Sequence, residues 1–385
     1  MTGNARVKSV REGFPLDPVM CTTALLLLLV GLVMVASASI EMSARNYGNP
    51  FHLLFKHAVY LGISVSAGAL VIGLPMKFWQ KVDVPLLLLG FALLALVLIP
   101  GVGREVNGSV RWISLGFFTI QGSEFLKLFI VVYIAGYLVR VGGMEQADLR
   151  SFVKPLAILL GLIFLLMGQP DFGASVVIMT SILGVIFLAG APIRYFMPLL
   201  VGCIGAGGLL AVLQPYRLAR LTVFTDPWEY QYEGGYQLTQ ALIAFGRGDL
   251  FGLGLGNSIQ KLFFLPEAHT DFLFSILAEE LGLVGATLVI SLFCMLILRA
   301  LWIGKTAQEG GKPFHAYAAY GAGLMLGVQA CINLGVNLGV LPTKGLTLPL
   351  MSYGGNSLIV SCVLVGILLR VEYECRNEQR RSRAR

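Results

Sequence analysis

The residues best suited to chemistry lie in one short run, Leu265-Pro-Glu-Ala-His-Thr-Asp-Phe-Leu-Phe274, where an apolar stretch begins. Asp271 stands at the start of the helix expected there. It can cap that helix, because an acid is favoured by the free N–H groups and the dipole of a helix N-terminus. It can equally act as a base at the water–lipid boundary. Glu267 and His269 lie within four residues of it, and three titratable groups at one membrane entry point to proton transfer or ion binding. A histidine and two acids also suit a hard divalent cation such as Mg²⁺ or Mn²⁺, at a spacing that does not single out a metal.

Further charged groups occur where charge is costly. Glu124 and Lys127 open another apolar run as i,i+3 neighbours able to neutralise each other. Arg104 and Arg111 lie just upstream, in a segment that also holds Trp112, and a pair of arginines can grip a phosphate bidentately. Asp171 precedes a run as Asp271 does. Glu279 and Glu280 follow Asp271 on the same expected helix, about 12–14 Å along it. At about 100° per residue they cannot all face one site, so a clamp or ion pair is expected for these two. Lys261 follows Gly252-Leu-Gly-Leu-Gly256, which lacks the Lys-Ser/Thr and the βαβ unit of a phosphate loop; the lysine can still oppose a diphosphate as a point charge. Ser352 belongs to a polar, glycine-rich break at residues 341–357, where Lys344 is the only base: a snorkelling anchor or a counter-ion.

The elements that must hold these groups follow from composition. Of 385 residues 13% are charged and 56% hydrophobic, with a mean hydropathy of +0.79. So few charges cannot coat a soluble domain, which averages about 25% charged, and so apolar a chain is not disordered. Ten runs suit membrane spans: 19–40, 58–74, 84–100, 120–139, 155–168, 173–189, 196–213, 272–298, 315–341 and 347–369. The fifth and sixth are expected to form a tight hairpin at Gln169-Pro-Asp171. With both termini cytoplasmic, the inner segments hold 18 Lys and Arg and the outer loops 9 in a greater length, a bias of about 2.5-fold per residue. The expected fold is an all-α polytopic membrane protein, one domain over 1–385. It has a cytoplasmic tail at 1–18, a basic cytoplasmic tail at 370–385 and one large extracytoplasmic loop at 214–271. In that loop Tyr236–Phe245 patterns as an interfacial helix followed by a glycine-hinged turn. The apolar run after Arg11 is read as an uncleaved first span. Six cysteines without a CxxC pair support neither disulfides nor zinc. No folded basic domain for nucleic acid is present, and the basic tail suits anionic lipid.

Together these stretches resemble the SEDS family, for shape, elongation, division and sporulation, over nearly the whole chain. The matching residues are Gln121-x-Ser-Glu124 with Lys127, Gln169-Pro-Asp-Phe-Gly173, Gln260-Lys261, Pro266-Glu-Ala-His-Thr-Asp-Phe272, Glu279-Glu-Leu-Gly282 and Leu348-Pro-Leu-Met-Ser-Tyr-Gly-Gly355. Tyr236-Gln-x-x-Gln-Ala-Leu-Ile243 and Leu341-Pro-Thr-Lys-Gly-Leu-Thr347 are similar to its division branch rather than its elongation branch. Gly122 and Asn356 depart from a common Pro and Ser. The resemblance implies a peptidoglycan glycosyltransferase that polymerises lipid II outside the cytoplasmic (inner) membrane at the division septum. It implies Asp271 as the essential loop carboxylate and general base, with Lys344 and Lys261, then Arg111 and Arg104, opposite the leaving undecaprenyl diphosphate. It further implies a class B penicillin-binding transpeptidase and other division proteins as partners. A lipid II flippase, or a scaffold recruiting the transpeptidase, stands as the alternative.

Overall fold

The computed structural model describes residues 16–106, 109–114, 116, 119–145, 148–212, 222–343 and 345–383. Its helices are α1 (Pro18–Tyr47), α2 (His52–Gly73), α3 (Met76–Lys81), α4 (Asp83–Val97), α5 (Gly122–Val141), α6 (Leu149–Gly168), α7 (Phe172–Leu188), α8 (Ile193–Val212), α9 (Tyr236–Gly248), α10 (Leu273–Glu309), α11 (Pro313–Asn337) and α12 (Gly355–Arg383). Nine of the ten apolar runs are helical over most of their described length, and the pair meeting at Gln169-Pro-Asp171 is a hairpin of two helices; the tenth, 347–369, is helical only from Gly355, with irregular backbone before it. By length and composition α1, α2, α6, α10 and α11 can each cross a bilayer. This is the architecture of a multi-pass membrane protein. The helix expected over Tyr236–Phe245 is α9.

Local chemistry explains the ends and the packing. Asp17 caps α1 by accepting from the Met20 amide at 2.9 Å, with Pro18 in the first turn, and Gly48 closes it in the left-handed region. Of the 20 residues of α5, 16 are buried, so this helix is the centre of the bundle rather than its lipid face. Around it pack α4, α7 and α11, while α2 lies along α12. That last contact is backbone on backbone: a Cβ on Gly366 would fall 2.7 Å from the Gly68 carbonyl oxygen. Absent side chains give the close approach on which membrane helix association depends.

Two features depart from the expected all-α layout. First, the outer segment after α4 folds as a small antiparallel sheet, β1 (Gly103–Val106), β2 (Ser109–Ser114) and β3 (Thr119–Gln121), in the order β1-β2-β3. Arg104 pairs with Trp112, and Trp112 with Gln121. Too short to show a period of two, these strands carry no clear sequence signal.

Second, the run read as one span at 272–298 is broken. Gly282 within α10 has φ 66° and ψ −166°, a conformation open to glycine and to little else. The hydrogen bonds lost at the break are supplied by the loop after α9. Leu253 N–H donates to Glu279 O and Gly254 N–H to Glu280 O, both at 3.0 Å, while Leu283 and Val284 N–H donate to Asp249 and Leu250 carbonyls at 2.9 and 3.1 Å. Glu279 and Glu280 therefore sit in the short helical segment before the break, and the longer apolar stretch of α10 follows it.

Candidate active site

Asp271 stands one residue before the cap position of α10. That cap is Phe272, with no side-chain capping bond, so the capping role that suited Asp271 is not the one it plays. Its backbone is held instead. The Asp271 carbonyl accepts from Asn333 Nδ2 at 2.8 Å and from Asn337 Nδ2 at 3.0 Å, two amides one turn apart on α11. Asn337 Oδ1 in turn accepts from the Ser275 amide at 3.1 Å and its hydroxyl at 2.7 Å. Sequence reading passed over Asn333 and Asn337. Their signal was an i, i+4, i+8 series of amides, Gln329, Asn333 and Asn337, inside an otherwise apolar helix.

The carboxylate is half-buried and faces the chain at Gly345, where a Cβ would stand 3.1 Å from Asp271 Oδ2. Burial first, then the charge of Glu267, push its carboxyl up to about 7, and the Arg111 guanidinium pulls the other way. Glu267 shapes the turn: at φ 55° its carbonyl accepts from Thr270 and Phe272 amides at 3.2 Å, and its carboxylate accepts from the Thr270 hydroxyl at 2.7 Å. His269 is buried, and burial holds its imidazole below the usual histidine range against the opposing pull of Glu267. Its ring lies 5.3 Å from that of Tyr353, whose amide donates to the His269 carbonyl at 3.0 Å. The two neighbouring groups are thus shifted in opposite directions, the Asp271 carboxyl upward and the His269 imidazole downward.

Arg111 joins the sheet to this centre. It donates to the carbonyls of Gln169 and Pro170 at 3.2 and 2.6 Å and lies 3.9 Å from Asp171. Asp171 caps α7, accepting from the Ala174 amide at 3.2 Å and from the Ser123 hydroxyl of α5 at 2.8 Å. The fourth wall is the irregular segment 345–354. Leu348, Leu350, Met351 and Ser352 are buried there, as backbone of this kind at membrane depth must be. Ser352 Oγ accepts from the Leu348 amide at 2.9 Å, a structural role, and Asn356 Nδ2 donates to Thr119 O of β3 at 2.9 Å.

The other expected residues separate by partner. Lys127, 1% exposed, bonds Glu124 and Gln329 at 2.7 Å each, and Gln329 reaches the Thr347 carbonyl at 2.9 Å. This network fastens α5 to α11 and to the wall of the site. Glu279 accepts from the amides of Ile259 and Gln260 at 3.2 Å and from the Ser258 hydroxyl, with Arg247 at 3.4 Å. Glu280 accepts from the Ser37 hydroxyl of α1 at 2.6 Å and pairs with Lys261 at 2.8 Å.

Lys261, a candidate counter-ion, has partners of its own in this structure. Expected opposite a diphosphate, it is spent on Glu280, on Ser37 at 2.9 Å and on the Gly256 carbonyl at 2.7 Å, with a buried side chain. A buried carboxylate needs a cation more than a solvated phosphate does. Arg104 is exposed on β1. Lys344 lies outside the described residues. Among the described residues no three His, Cys, Asp or Glu side chains converge to hold a metal ion, so Glu267, His269 and Asp271 do not form a ligand set by themselves.

Comparison with known proteins agrees over the whole length. A protein of Hahella chejuensis named probable peptidoglycan glycosyltransferase FtsW is 52% identical over 359 residues, covering 93% of this chain and 90% of the relative. Its namesake in Coxiella burnetii is also 52% identical, covering 93% and 96%. A solved structure described as the structural coordination of polymerization and crosslinking by a peptidoglycan synthase complex superposes with a TM-score of 0.76 at 29% identity, covering 94% of this chain and 98% of that one. The rod shape determining protein RodA of Thermus thermophilus superposes at 0.69 with 29% identity, covering 93% and 96%. The sequence pattern of the FtsW, RodA and SpoVE family, described as cell cycle proteins, matches residues 18–377, and the chain belongs to that family.

Proposed function

We propose that the chain is a peptidoglycan glycosyltransferase that polymerises lipid II into glycan strands, with Asp271 as its general base. The observation that carries this reading is the state of Asp271: fixed through its backbone, left out of the helix cap, and desolvated until its proton affinity suits neutral pH. A base is most effective when its pKa lies near the working pH, and such a group contributes roughly 10²- to 10⁴-fold. The acceptor sugar hydroxyl gives its proton to Asp271 as its oxygen bonds to the donor anomeric carbon. The bond from that carbon to undecaprenyl diphosphate breaks on the opposite face, so the transfer inverts configuration.

The leaving diphosphate needs positive charge. Arg111 is the described cation in the field of Asp271, and Lys344, next to Gly345 in the sequence, is its proposed companion; Arg104, exposed on β1, is a third candidate. A Mg²⁺ or Mn²⁺ ion would neutralise the same charge. The carboxylates of Asp271 and Glu267 are the hard donors that could reach it, with phosphate oxygens and water completing its shell. The division branch is favoured by the relatives' names, and with it a place in the cytoplasmic membrane at the septum. A class B penicillin-binding transpeptidase is the proposed partner, since one solved relative is described as coordinating polymerization with crosslinking.

The test is polymer formation by purified protein from lipid II, with and without that transpeptidase. Asp271→Asn, inserted and monodisperse, should make no polymer. Retained polymerisation would remove Asp271 from the chemistry. A flippase alone would make none from lipid II supplied on the accessible side, even with Asp271 intact.

A further inference from the structure

We infer that Asn333 and Asn337 are positioning residues for the reaction, which fix where the Asp271 carboxylate stands without touching the substrate. The inference rests on Asp271 being the base. Both amides converge on one acceptor, the Asp271 carbonyl, at 2.8 and 3.0 Å. Asn333 and Asn337 are 2% and 0% exposed, so neither is available to a sugar or a phosphate.

The second observation is what else they hold. The same Asn333 amide donates to the Leu346 carbonyl at 2.6 Å. Gly345, next to Leu346, is where a Cβ would stand 3.1 Å from Asp271 Oδ2. One side chain therefore sets both the base and the wall that the base faces. Asn337 is oriented by Ser275, whose N–H and O–H both donate to its Oδ1, so that its NH₂ must point at Asp271 and at the Asn333 carbonyl, 2.9 Å away. The turn before α10 lacks a side-chain cap. Without these amides the Asp271 peptide would have no described fastening to α11.

Loosening that grip moves the carboxylate relative to the acceptor hydroxyl. Displacements near 1 Å remote from the reacting atoms can lower a rate by about 100-fold. It also lets water reach a group whose proton affinity depends on exclusion of water.

The experiment measures lipid II polymerisation by the full-length protein with its transpeptidase partner, for Asn333→Ala, Asn337→Ala and Asn337→Asp. Asp271→Asn is the control. We expect kcat to fall about 10- to 100-fold with KM for lipid II unchanged, and the acid limb of the pH–rate profile to move to lower pH. Asn337→Asp keeps the acceptor for Ser275 but loses the donor to Asp271, so it should fail like Ala. A merely structural pair would leave kcat and the acid limb at the parent's values in every folded variant, which overturns the inference. Polymer from Asp271→Asn would overturn the base itself, a separate and recognisable failure. Should the Ala variants not fold, Ser275→Ala decides. It deletes one hydroxyl that orients Asn337 and should lower kcat a few-fold with the same acid-limb shift; an unchanged profile overturns the inference.

Discussion

Asp271 is where the residue-level physics is sharpest. Its carboxyl is pushed up to about 7 because burial and the neighbouring Glu267 both oppose its charge. As the proposed base it would work only when ionised, so polymerisation should rise with pH through about 7 and then level; a rate already flat from pH 5 upward would exclude it. The same shift has a price in stability. In the unfolded chain this carboxyl titrates near 3.8, so the folded state binds the proton more tightly. Below that value the group is protonated in both states and costs nothing. As pH rises toward 7 the folded state progressively loses stability, and above 7 the loss is complete, a few kcal/mol at most after solvent screening. Asp271→Asn should therefore unfold at a higher temperature than the parent at pH 8, by a margin that shrinks toward pH 5. Intrinsic tryptophan fluorescence of the detergent-solubilised protein reads this directly, and an equal midpoint at pH 8 would mean that the carboxylate is well solvated. The sequence exposed Asp271, Glu267, His269 and Arg111 because charge is scarce and costly in an apolar chain. Asn333, Asn337 and Ser123 carry no charge, and a neutral amide or hydroxyl in an apolar run does not announce its partner. The cation of Lys261 is visible in the sequence, but its pairing with Glu280 across 19 residues is not, because it depends on a loop folding back on a broken helix.

Between elements, two fastenings decide whether the site holds its shape. The first is Lys127, which ties Glu124 of α5 to Gln329 of α11 in a buried chain of bonds. Lys127→Met leaves the Glu124 carboxylate buried and unpaired, a loss of about 3–5 kcal/mol, while Glu124→Gln with Lys127→Met removes both charges and should recover most of it. Equal midpoints for the single and double variants would show that the pair carries no such coupling. The second is the break at Gly282. A Cβ there would meet the Gly252 nitrogen at 2.4 Å in a backbone conformation hostile to side chains, so Gly282→Ala should lower stability by at least about 1–3 kcal/mol and loosen the loop after α9. Faster proteolysis within residues 249–264 would report the loosening; an unchanged digestion pattern and midpoint would contradict it. The long helices were legible because runs of nearly twenty apolar residues have few other fates. The break was not, because Glu279-Glu-Leu-Gly282 reads as continuous helix until the loop that supplies its missing bonds is in place. The sheet after α4 was not legible either, since its strands take their register from each other and from β3 leading into α5.

At the scale of the molecule, α1 and α10 run antiparallel and are pinned at two levels. Asp17 is fully buried and pairs with Arg299, which lies 4.0 Å over the ring of Trp302. Ser37 bonds Glu280. Twenty residues of α1 separate the two pins, about 30 Å, which is the thickness of the hydrocarbon core. Between them the helices meet through apolar contacts and one weak polar one, Thr23 to Met295 at 3.3 Å. We propose that the pins mark the two faces of the membrane, with the charge asymmetry orienting them. The Asp17–Arg299 end carries the basic tail of α12, where Glu374 accepts from His315 and Arg370 at 2.7 Å each and from the Met76 amide at 3.0 Å. By the positive-inside rule, the excess of Lys and Arg there makes the cytoplasm the proposed location of that side. The Ser37–Glu280 end carries α9, the sheet and Asp271, so with that orientation the proposed base would lie outside, on the face where a polymerised strand must remain. In a cysteine-free background, Lys305→Cys and Glu309→Cys, both exposed in the last turns of α10, should react with a membrane-impermeant maleimide only after the cell is permeabilised. Tyr232→Cys and Phe251→Cys, at 88% and 80% exposure, should react in intact cells once the outer membrane is opened. The opposite labelling pattern would put Asp271 in the cytoplasm, and no polymerase of an external wall could then use it.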